Sequence, residues 1–593
     1  MPTTLLACLL AAAVSFALTP FVTRLAVWLG AVDQPSPRKV HVRPIPRLGG
    51  LGLLAALAAG FVVLSISPTT PSVRTVLCVP MFLGLLPIAI VSMLDDIRPM
   101  SVRLRLAAQV CGAAIAMTAG IVLQPTIHLF GMPIWIGWVA YPLTLVWIVG
   151  VTNAFNLIDG LDGLATGLGL ISATSLAAVF ALAGRYESAA VALVFAAALA
   201  GFLPYNVFPA RVFLGDTGAT AIGFILACLT IRGGSTLSAG LATMLPVLLV
   251  SVPVVETLLS IARRLVRRFE RLDGGSVFQP DANHVHHRLL QLGLDQRHAV
   301  AVLHGISLLV AAVALSSLLV STELTGLFLL GVTVAGLSGV ARLNYEEFGR
   351  CGTRLALLMA SPRRRAMRML FDAAQVAAIV YLTVALKFDD WMLREHGTIA
   401  VAMFATLCPL TIIAFRATGR YRDAWIFASV DDLLRICRAV AVAAFVAAII
   451  LQLLPVGRVP LSLVLLYTGL QLGTVCSLRL VQRSVISSLW TSGEGGLSML
   501  LAGVTGGLGT LRPLLFDTGA ATRGEPDALP GAHFGLPGDV PVVGTLEDLE
   551  RAIKRLGPQT LVVASASVPA GDLARAAELS GRMRIPILKL QAA

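Results

Sequence analysis

The sequence predicts a mainly α-helical protein that crosses a membrane about fifteen times and ends in a small cytoplasmic α/β domain of the Rossmann-like type. Two observations carry this prediction. Hydrophobic residues make up 57% of the 593 residues and charged residues only 13%, whereas soluble domains usually carry about 25% charged residues. The apolar residues also lie in long continuous runs, which favours spanning helices over a barrel of alternating strands.

The apolar runs divide the chain into four parts. About eleven predicted spans lie in residues 1–343, since a helix needs roughly 20 apolar residues to cross a bilayer. A basic cytoplasmic linker, residues 344–368, comes next, and about four further spans are predicted in residues 369–490. Residues 491–593 are rich in Gly, Pro and charge and form the predicted α/β domain. The first run lacks a basic start and a clear cleavage site, so we expect a retained span.

The basic residues predict the orientation of the chain. The formal net charge is +13, and Lys and Arg collect in residues 38–47, 263–297 and 363–365. With the N-terminus outside, all three segments are cytoplasmic, as the positive-inside rule requires. The excess charge is therefore assigned to loops at the membrane and not to a nucleic-acid partner. The eight cysteines show neither a disulfide framework nor metal-ligand spacing.

Acidic residues at the cytoplasmic ends of predicted spans indicate a functional site. Asp95 and Asp96 end the third run, Asp159 and Asp162 lie in TNAFNLIDGLDGLA, and Asp216 lies in FLGDTG. One such acid can be a helix cap or half of an ion pair. Three clusters on the same side of the membrane favour function, because acids near a bilayer are costly.

Cations near these acids suit an anionic substrate. Arg105 follows the first acid pair, and the string NHVHHR supplies His284, His286, His287 and Arg288. The H-x-H-H spacing alone is weak evidence for zinc, since no Cys or distant third His completes a site. Carboxylates and an amide oxygen instead suit Mg²⁺, with Mn²⁺ as an alternative, and the cations suit a diphosphate.

Five strings in order resemble the polyprenyl-phosphate N-acetylhexosamine-1-phosphate transferase family over roughly residues 1–339. They are DQPSPRKVHVRPIPRLGG, MLDDI, TNAFNLIDGLDGLA, FLPYNVFPARVFLGDTG and PDANHVHHRL. The resemblance implies that Asp216 is the main Mg²⁺ ligand and Asn156 a second ligand. It also implies that Asp95 and Asp96 engage the lipid phosphate, with one as a candidate base, and that Asp159 and Asp162 belong to the catalytic group.

The same resemblance implies the substrate contacts. Phe213 would stack on uracil, and Arg105 falls where the family often has a Lys that contacts the diphosphate. The segment His284–Arg288 would hold the sugar diphosphate, and the other substrate-binding residues would be Lys39, Arg47 and Asn153. Two departures from the family pattern, Glu256 for a usual Asp and Ala219 for a usual Ser, are mild.

The expected reaction is Mg²⁺-dependent transfer of an N-acetylhexosamine-1-phosphate from a UDP-sugar to undecaprenyl phosphate. It would release UMP and start cell-envelope polysaccharide assembly at the cytoplasmic face of the bacterial inner membrane. GlcNAc is the default sugar from the resemblance, although GalNAc or a deoxy-sugar would fit the same motifs. A homodimer is a further option at this point. The alternatives are a lipid-linked sugar transporter and a bifunctional sugar-nucleotide modifying enzyme and transferase.

The C-terminal part resembles the membrane region and small Rossmann-like part of nucleotide-sugar dehydratase/epimerase proteins. The segment LSMLLAGVTGGLGTL reads as a strand, a Gly-rich turn and a helix. Its glycines do not fit G-x-G-x-x-G in register, so a nucleotide site there is a weak prediction. No Tyr-x-x-x-Lys pair follows, which favours a non-catalytic role in regulation, sensing or docking. The candidate nucleotide-binding residues are Gly503, Gly506, Gly507 and Gly509.

Overall fold

The structure, a computed structural model, describes residues 2–35, 43–66, 77–129, 132–234, 245–269, 284–316, 318, 331, 336, 365–388, 390, 393–418, 430–454, 459–491, 498–505, 508–515, 544–545, 560–564, 578 and 587–590. The chain divides into two compact units. The first unit is Met1–Leu329 with Leu386–Met392, and the second is Leu330–Ala385 with Leu393–Ala593.

The first unit is a helical bundle with two short hairpins. Its helices are α1 (Pro2–Trp28), α2 (Gly49–Ser65), α3 (Val79–Ile97), α4 (Val102–Thr118), α5 (Ala140–Ile158), α6 (Leu164–Leu182), α7 (Tyr186–Asn206), α8 (Gly215–Gly234), α9 (Leu245–Leu248), α10 (Ser251–Phe269), α11 (Val285–Gln291) and α12 (Gln296–Ser316). A 3₁₀ turn, Gly137–Val139, leads into α5. The antiparallel hairpins are β1 (Val32–Asp33) with β2 (Ile45–Pro46), and β3 (Thr126–Leu129) with β4 (Met132–Trp135).

The second unit contains four long helices and a five-stranded sheet among its described residues. The helices are α13 (Arg365–Phe388), α14 (Gly397–Ala417), α15 (Val430–Leu453) and α16 (Leu461–Thr491). The strands are β5 (Ser498–Thr505), β6 (Leu508–Leu515), β7 (Gly544–Thr545), β8 (Thr560–Ala564) and β9 (Ile587–Leu590), in the order β7-β6-β5-β8-β9. Strands β5, β8 and β9 are parallel, whereas β6 runs antiparallel to β5 and β7 antiparallel to β6.

The length and composition of the helices identify a multi-pass membrane protein. Within the described ranges, nine helices are long and apolar enough to cross a bilayer, namely α1, α3, α5, α6, α7, α12, α13, α14 and α15. Two shorter apolar helices, α2 and Leu461–Ser477 of α16, add to these. The larger total of about fifteen spans stays a prediction. Most of residues 319–350 lie outside the described part, and α8 and α10 carry polar groups that lower their hydropathy.

Helix α10 has its polar side inward, the reverse of a helix on a water-soluble protein. Glu256, Ser260 and Arg263 are at most 4% exposed. Leu258, on the opposite side, is 58% exposed, and the other outward residues of this helix are also large and apolar, namely Val255, Ile261 and Leu265. This pattern suits a helix that faces lipid outside and a polar interior inside.

Small residues bring the helices together at the end where the site lies. A Cβ added to Gly50 in the first turn of α2 would collide with the backbone of Gly218 in the first turn of α8. The two helices therefore begin side by side, as small residues in membrane bundles permit. Behind them the core is filled by fully buried aromatic rings: Phe155, Phe180, Phe195, Phe202 and Phe224.

The predicted strand–turn–helix at the C-terminal glycines is wrong. Gly503 lies in β5 as predicted, but Gly509 lies in strand β6, in the stretch predicted as a helix. Thr505 pairs with Leu508 in an antiparallel ladder, so only two residues connect the strands. The residues from Leu508 onward pair with β5 as a strand, so they do not form the predicted helix. Gly506 and Gly507 lie outside the described residues, as does Lys39, and the Rossmann-like assignment stays a prediction.

Candidate active site

The predicted acids meet because five helix ends meet. Helices α3, α5 and α7 end, and α2 and α8 begin, at the same end of the first unit. Backbone hydrogen bonds fix this arrangement: the amide of Phe213 donates to the carbonyl of Pro46 at 2.8 Å, and the amide of Gly49 donates to the carbonyl of Phe213 at 3.0 Å. The segment before α8 is thus joined to the segment before α2.

Asp96 holds the beginning of helix α8. Its Oδ1 accepts from the amide of Asp216 at 2.9 Å, and its Oδ2 accepts from the amide and hydroxyl of Thr217 at 3.0 and 2.7 Å. Two nitrogens of the Arg47 guanidinium lie 3.3 Å from Oδ1. A carboxylate suits the free amides and the positive dipole end of a helix N-terminus. Since both oxygens are occupied and the residue is 3% exposed, Asp96 fixes the geometry of the site.

Asp95 points to a different partner. Its Oδ1 accepts from the amide of Met100, and its Oδ2 lies 3.1 Å from Nη1 of Arg105. The same Nη1 lies 3.5 Å from Oδ2 of Asp216. One guanidinium therefore bridges the acid from α3 and the acid from α8.

The two predicted metal ligands are in contact. Nδ2 of Asn156, in the last turn of α5, donates to Oδ1 of Asp216 at 3.0 Å. Both side chains line the same cavity and are half-buried. The described residues contain no group of three or more His, Cys, Asp or Glu side chains arranged to hold a metal. The donor set still fits Mg²⁺, which proteins usually bind through one or two carboxylates with the substrate phosphates completing the shell.

Asp159 and Asp162 follow helix α5 and have different surroundings. Asp159 lines the cavity, and burial, together with the carboxylates of Asp216 and Asp96, raises the pKa of Asp159 to about 8. The cavity therefore concentrates negative charge, which a bound cation would relieve. Asp162 accepts from the amide of Ala210 at 2.9 Å and so ties the segment before α8 to the end of α5.

Asn153 lies apart from the cavity in spite of its predicted substrate contact. Its Nδ2 donates to Oε1 of Gln109 at 2.6 Å and to the carbonyl of Val149 at 2.8 Å. Gln109 returns a hydrogen bond to Oδ1 of Asn153 at 3.4 Å. This reciprocal pair joins helix α4 to helix α5, which gives Asn153 a structural contact one turn before Asn156.

The histidine segment is anchored by Glu256 of α10. Oε1 of Glu256 lies 2.9 Å from Nδ1 of His286 and 3.4 Å from Nδ1 of His284. His286 is 1% exposed and packs so closely on Gly160 that a Cβ there would collide with its ring. Only His287 of the three lines the cavity. Burial, together with the charge of His286 and His284, lowers the pKa of His287 to about 4, so its ring is neutral near pH 7.

One polar cavity of about 300 Å³ gathers seven of the predicted side chains. Of the residues predicted from sequence, its wall includes Arg47, Asn156, Asp159, Asp162, Phe213, Asp216 and His287. Sequence reasoning missed others that also line it, namely Asp33, Gly160, Leu161, Asn206, Gly215 and Gln296. Asp33, at the start of the quoted DQPSPRKVH string and 3.7 Å from Arg47, could have been found from that string. Asn206, in the quoted FLPYNVFPARVFLGDTG string, could have been found in the same way, whereas Gln296 carried no signal.

Comparison with known proteins identifies the family. The pattern of glycosyl transferase family 4 matches residues 78–234, from α3 to α8. A Bacillus subtilis (strain 168) protein named "Probable undecaprenyl-phosphate N-acetylglucosaminyl 1-phosphate transferase" is 34% identical over 338 residues, which is 56% of this chain and 90% of that protein. The chain belongs to this family of membrane sugar-1-phosphate transferases. It is therefore an enzyme of the phosphotransferase class.

Other members of the transferase family match over a similar part of the chain. The decaprenyl-phosphate N-acetylglucosaminephosphotransferase of Mycobacterium tuberculosis (strain ATCC 25618 / H37Rv) is 34% identical over 370 residues, covering 56% of this chain and 87% of the relative. The undecaprenyl-phosphate alpha-N-acetylglucosaminyl 1-phosphate transferase of Escherichia coli (strain K12) is 27% identical over 305 residues, covering 49% and 78%. The transporter alternative is therefore wrong.

Proposed function

We propose that this transferase moves GlcNAc-1-phosphate from UDP-GlcNAc to undecaprenyl phosphate, with Mg²⁺ as cofactor and UMP as the second product. The observation that carries the proposal is the contact between Asn156 and Asp216 at 3.0 Å, within a cavity that also contains Asp159 and Arg47. The activities named for the relatives supply the sugar and the lipid phosphate.

Charge neutralisation is the main task of the proposed site. A phosphate oxygen of the lipid attacks the phosphorus that carries the sugar, and the bond from that phosphorus to the oxygen of UMP breaks. Both reactants are anions, so positioning and electrostatic stabilisation provide most of the rate. Mg²⁺ held by Asp216 and Asn156 would offset charge on the diphosphate. Arg105, already beside Asp216, is placed to contact the same phosphates.

The two acids of α3 take different roles in this proposal. Asp96 positions the first turn of α8 and with it Asp216, because its oxygens are engaged by α8 and Arg47. Asp95 is the better candidate to approach the lipid phosphate, since its side chain is 8% exposed, against 0% for Asp96, and its partner Arg105 also contacts Asp216. A phosphate is already ionised near neutral pH, so a base is not required for the attack.

The donor would enter with its uracil against Phe213 and its sugar toward His287. Phe213 is half-buried at the cavity wall and its backbone is locked on both sides. A fixed ring of this kind is suited to stacking on a base. His287 is held in place through the neighbouring anchor of His284 and His286 on Glu256.

The metal experiment tests the proposal most directly. Purified enzyme is given UDP-GlcNAc, undecaprenyl phosphate and Mg²⁺, and UMP release is measured for wild type, Asp216→Asn and Asn156→Ala. Loss of one metal ligand should lower the rate about 100- to 1,000-fold, as loss of a preorganised electrostatic group does, and EDTA should abolish it. Asp295→Asn, an exposed acid outside the cavity, is the control. Full activity of Asp216→Asn or activity in excess EDTA contradicts the proposal.

We also propose that the site faces the cytoplasm, where a UDP-sugar is made. In a variant without its eight native cysteines, a cysteine at Gln124 should react with an impermeant reagent added to intact cells. A cysteine at Gly293 should react only after the membrane is opened. The opposite pattern would place the site outside the cell, where the UDP-sugar is not made, and would contradict the proposal.

The C-terminal part is proposed to bind a nucleotide or sugar nucleotide and to adjust the transferase. Its parallel strands β5, β8 and β9 support this proposal. A chain ending near residue 362 should keep basal transfer and lose any response to added nucleotides. An inactive but folded truncated chain would instead make this part necessary for catalysis.

A further inference from the structure

One polar side chain on the cavity wall has no role in the mechanism above. Gln296 is the first residue of α12 and is 8% exposed, yet it lines the cavity. Within the described part of the chain, its carboxamide makes no hydrogen bond. Its polar atoms, unlike those of Gln471 in α16, are not sealed away from solvent, so a ligand in the cavity can reach them.

The other carboxamides nearby are already engaged. Asn156 donates to Asp216. Oδ1 of Asn206 accepts from the hydroxyl of Thr166 at 2.7 Å, and its Nδ2 donates to the carbonyl of Val212 at 3.1 Å. Asn206 therefore holds two helices and the segment before α8 together, although it also lines the cavity. Among the described residues that line the cavity, Gln296 is the one whose carboxamide has both its nitrogen and its oxygen available for hydrogen bonds.

The position of Gln296 is fixed by its neighbours. The guanidinium of Arg297 lies over the ring of Phe208, with its central carbon 5.2 Å from the ring centroid. Cation–π contacts of this kind hold a side chain at a defined place. This contact links the start of α12 to the segment that leads to Phe213. Gln296 therefore belongs to a wall that the donor must meet.

The chemistry of the wall restricts what Gln296 can recognise. The charged groups around the cavity, namely Asp33, Arg47, Asp159, Asp162 and Asp216, suit a metal and phosphates. A carboxamide carries no charge and offers one acceptor beside two donors. Its best complement is another amide, in which an N–H stands next to a carbonyl. The inference rests on the donor proposed above, UDP-GlcNAc, which carries two such groups: the imide edge of uracil and the acetamido group of the sugar.

We infer that Gln296 is a specificity-determining residue that pairs with an amide group of the nucleotide-sugar donor. Hydrogen bonds between Gln296 and this amide would favour donors that carry it. A donor without the amide would leave the carboxamide of Gln296 without a partner. Replacement by Leu keeps the volume and removes the pairing. Replacement by Glu keeps the shape but adds a carboxylate beside those already present.

The experiment compares wild type with Gln296→Leu and Gln296→Met. Three quantities are measured: kcat/KM for UDP-GlcNAc, kcat/KM for UDP-glucose, which lacks the acetamido group, and the inhibition constant of UMP. If the acetamido group is the partner, the preference for UDP-GlcNAc falls about tenfold and UMP inhibition is unchanged. If uracil is the partner, UMP binds about tenfold more weakly and the preference is unchanged. No change in either quantity for folded variants overturns the inference.

A matched control separates this effect from loss of any buried amide. Gln471 in α16 is 1% exposed, and its carboxamide also has no partner among the described residues. Gln471→Leu should leave both the preference and UMP inhibition unchanged. Calorimetric binding of UMP and UDP-GlcNAc gives a readout that does not need turnover. If wild type releases no UMP but binding weakens in Gln296→Leu, the proposed reaction fails while the assignment of Gln296 stands.

Discussion

The site has two walls: an acid wall, formed by Asp96 and the start of α8 with Asp216, and a histidine wall, formed by Glu256 and His284 to His287. Each wall is held by a buried carboxylate. In the acid wall, Asp96 binds the first turn of α8 with both oxygens. In the histidine wall, Glu256 binds His284 and His286 through Oε1, while its Oε2 has no hydrogen-bond partner in the described ranges. The comparison shows that the most deeply buried acids position the walls, while the more exposed Asp216 and His287 line the cavity.

The walls differ in how firmly they are held. The acid wall is fixed by backbone amides and by close backbone contacts around Gly215, which do not change with pH. The histidine wall is fixed by side-chain contacts of His284 and His286 with one oxygen of Glu256. We therefore expect substitutions in the acid wall to lower the stability or the catalytic rate strongly. Substitutions in the histidine wall should mainly weaken donor binding.

The largest effect should come from the backbone of the acid wall. A Cβ on Gly215 would collide with the carbonyl oxygen of Arg47, and its φ is +73°. Gly215→Ala should lose activity and lower the unfolding temperature measured in detergent. Gly184 has φ +70° with nothing within 4 Å of an added Cβ, so Gly184→Ala carries the strain of positive φ without the collision. Equal loss in both variants would show that strain, and not the contact, matters.

The next largest effect should separate Asp96 from Asp216. Asp96→Asn leaves buried donors of α8 unpaired, at about 1–3 kcal/mol each, so both stability and activity should fall. Asp216→Asn should lower the rate about 100-fold or more with an unchanged unfolding temperature, because it removes one of several crowded negative charges. The unfolding temperature and UMP release are measured for both variants. A stable, inactive Asp96→Asn would reverse the assigned roles.

A smaller effect is expected in the histidine wall. Glu256→Ala removes the hydrogen-bond partner of His286 and the charge contact of His284. It should raise KM for the donor more than it lowers kcat, with a stability loss of about 1–3 kcal/mol. Asp295→Asn is the control, because Asp295 contacts His298 at 2.6 Å on the surface, where the pair is exposed. If the two variants behave alike, burial of the anchor is unimportant.

The smallest effect should appear with pH. The pKa of His287 is lowered to about 4 from an ordinary value of about 6.5, so the unfolded chain binds more protons between these values. Stability should therefore fall as the pH is lowered through this window. His287→Asn should be less sensitive than wild type over the same range, as judged by unfolding temperatures at pH 7 and pH 5. An identical pH dependence would show that His287 does not contribute.

Sequence reasoning located the acid wall better than the histidine wall. Asp216, Asn156 and Asp159 lie at the ends of apolar runs, where the polar residues stand out, and the structure brings them to one cavity. The division of labour between Asp95 and Asp96 could not be predicted, because it depends on which carboxylate faces α8. For the same reason the histidine string could not reveal that His284 and His286 turn to Glu256. Gln296 is an ordinary polar residue in sequence, and only tertiary structure places it on the wall.

The collision at Gly215 has a consequence for inhibitors. A compound that rests on the backbone around Gly215 meets a surface that the enzyme cannot alter by substitution, since any side chain there would strike Arg47. Resistance by point mutation should arise more readily against compounds that depend on side chains of the histidine wall. Gly215 is thus also the position in the pocket at which a resistance substitution is least able to arise.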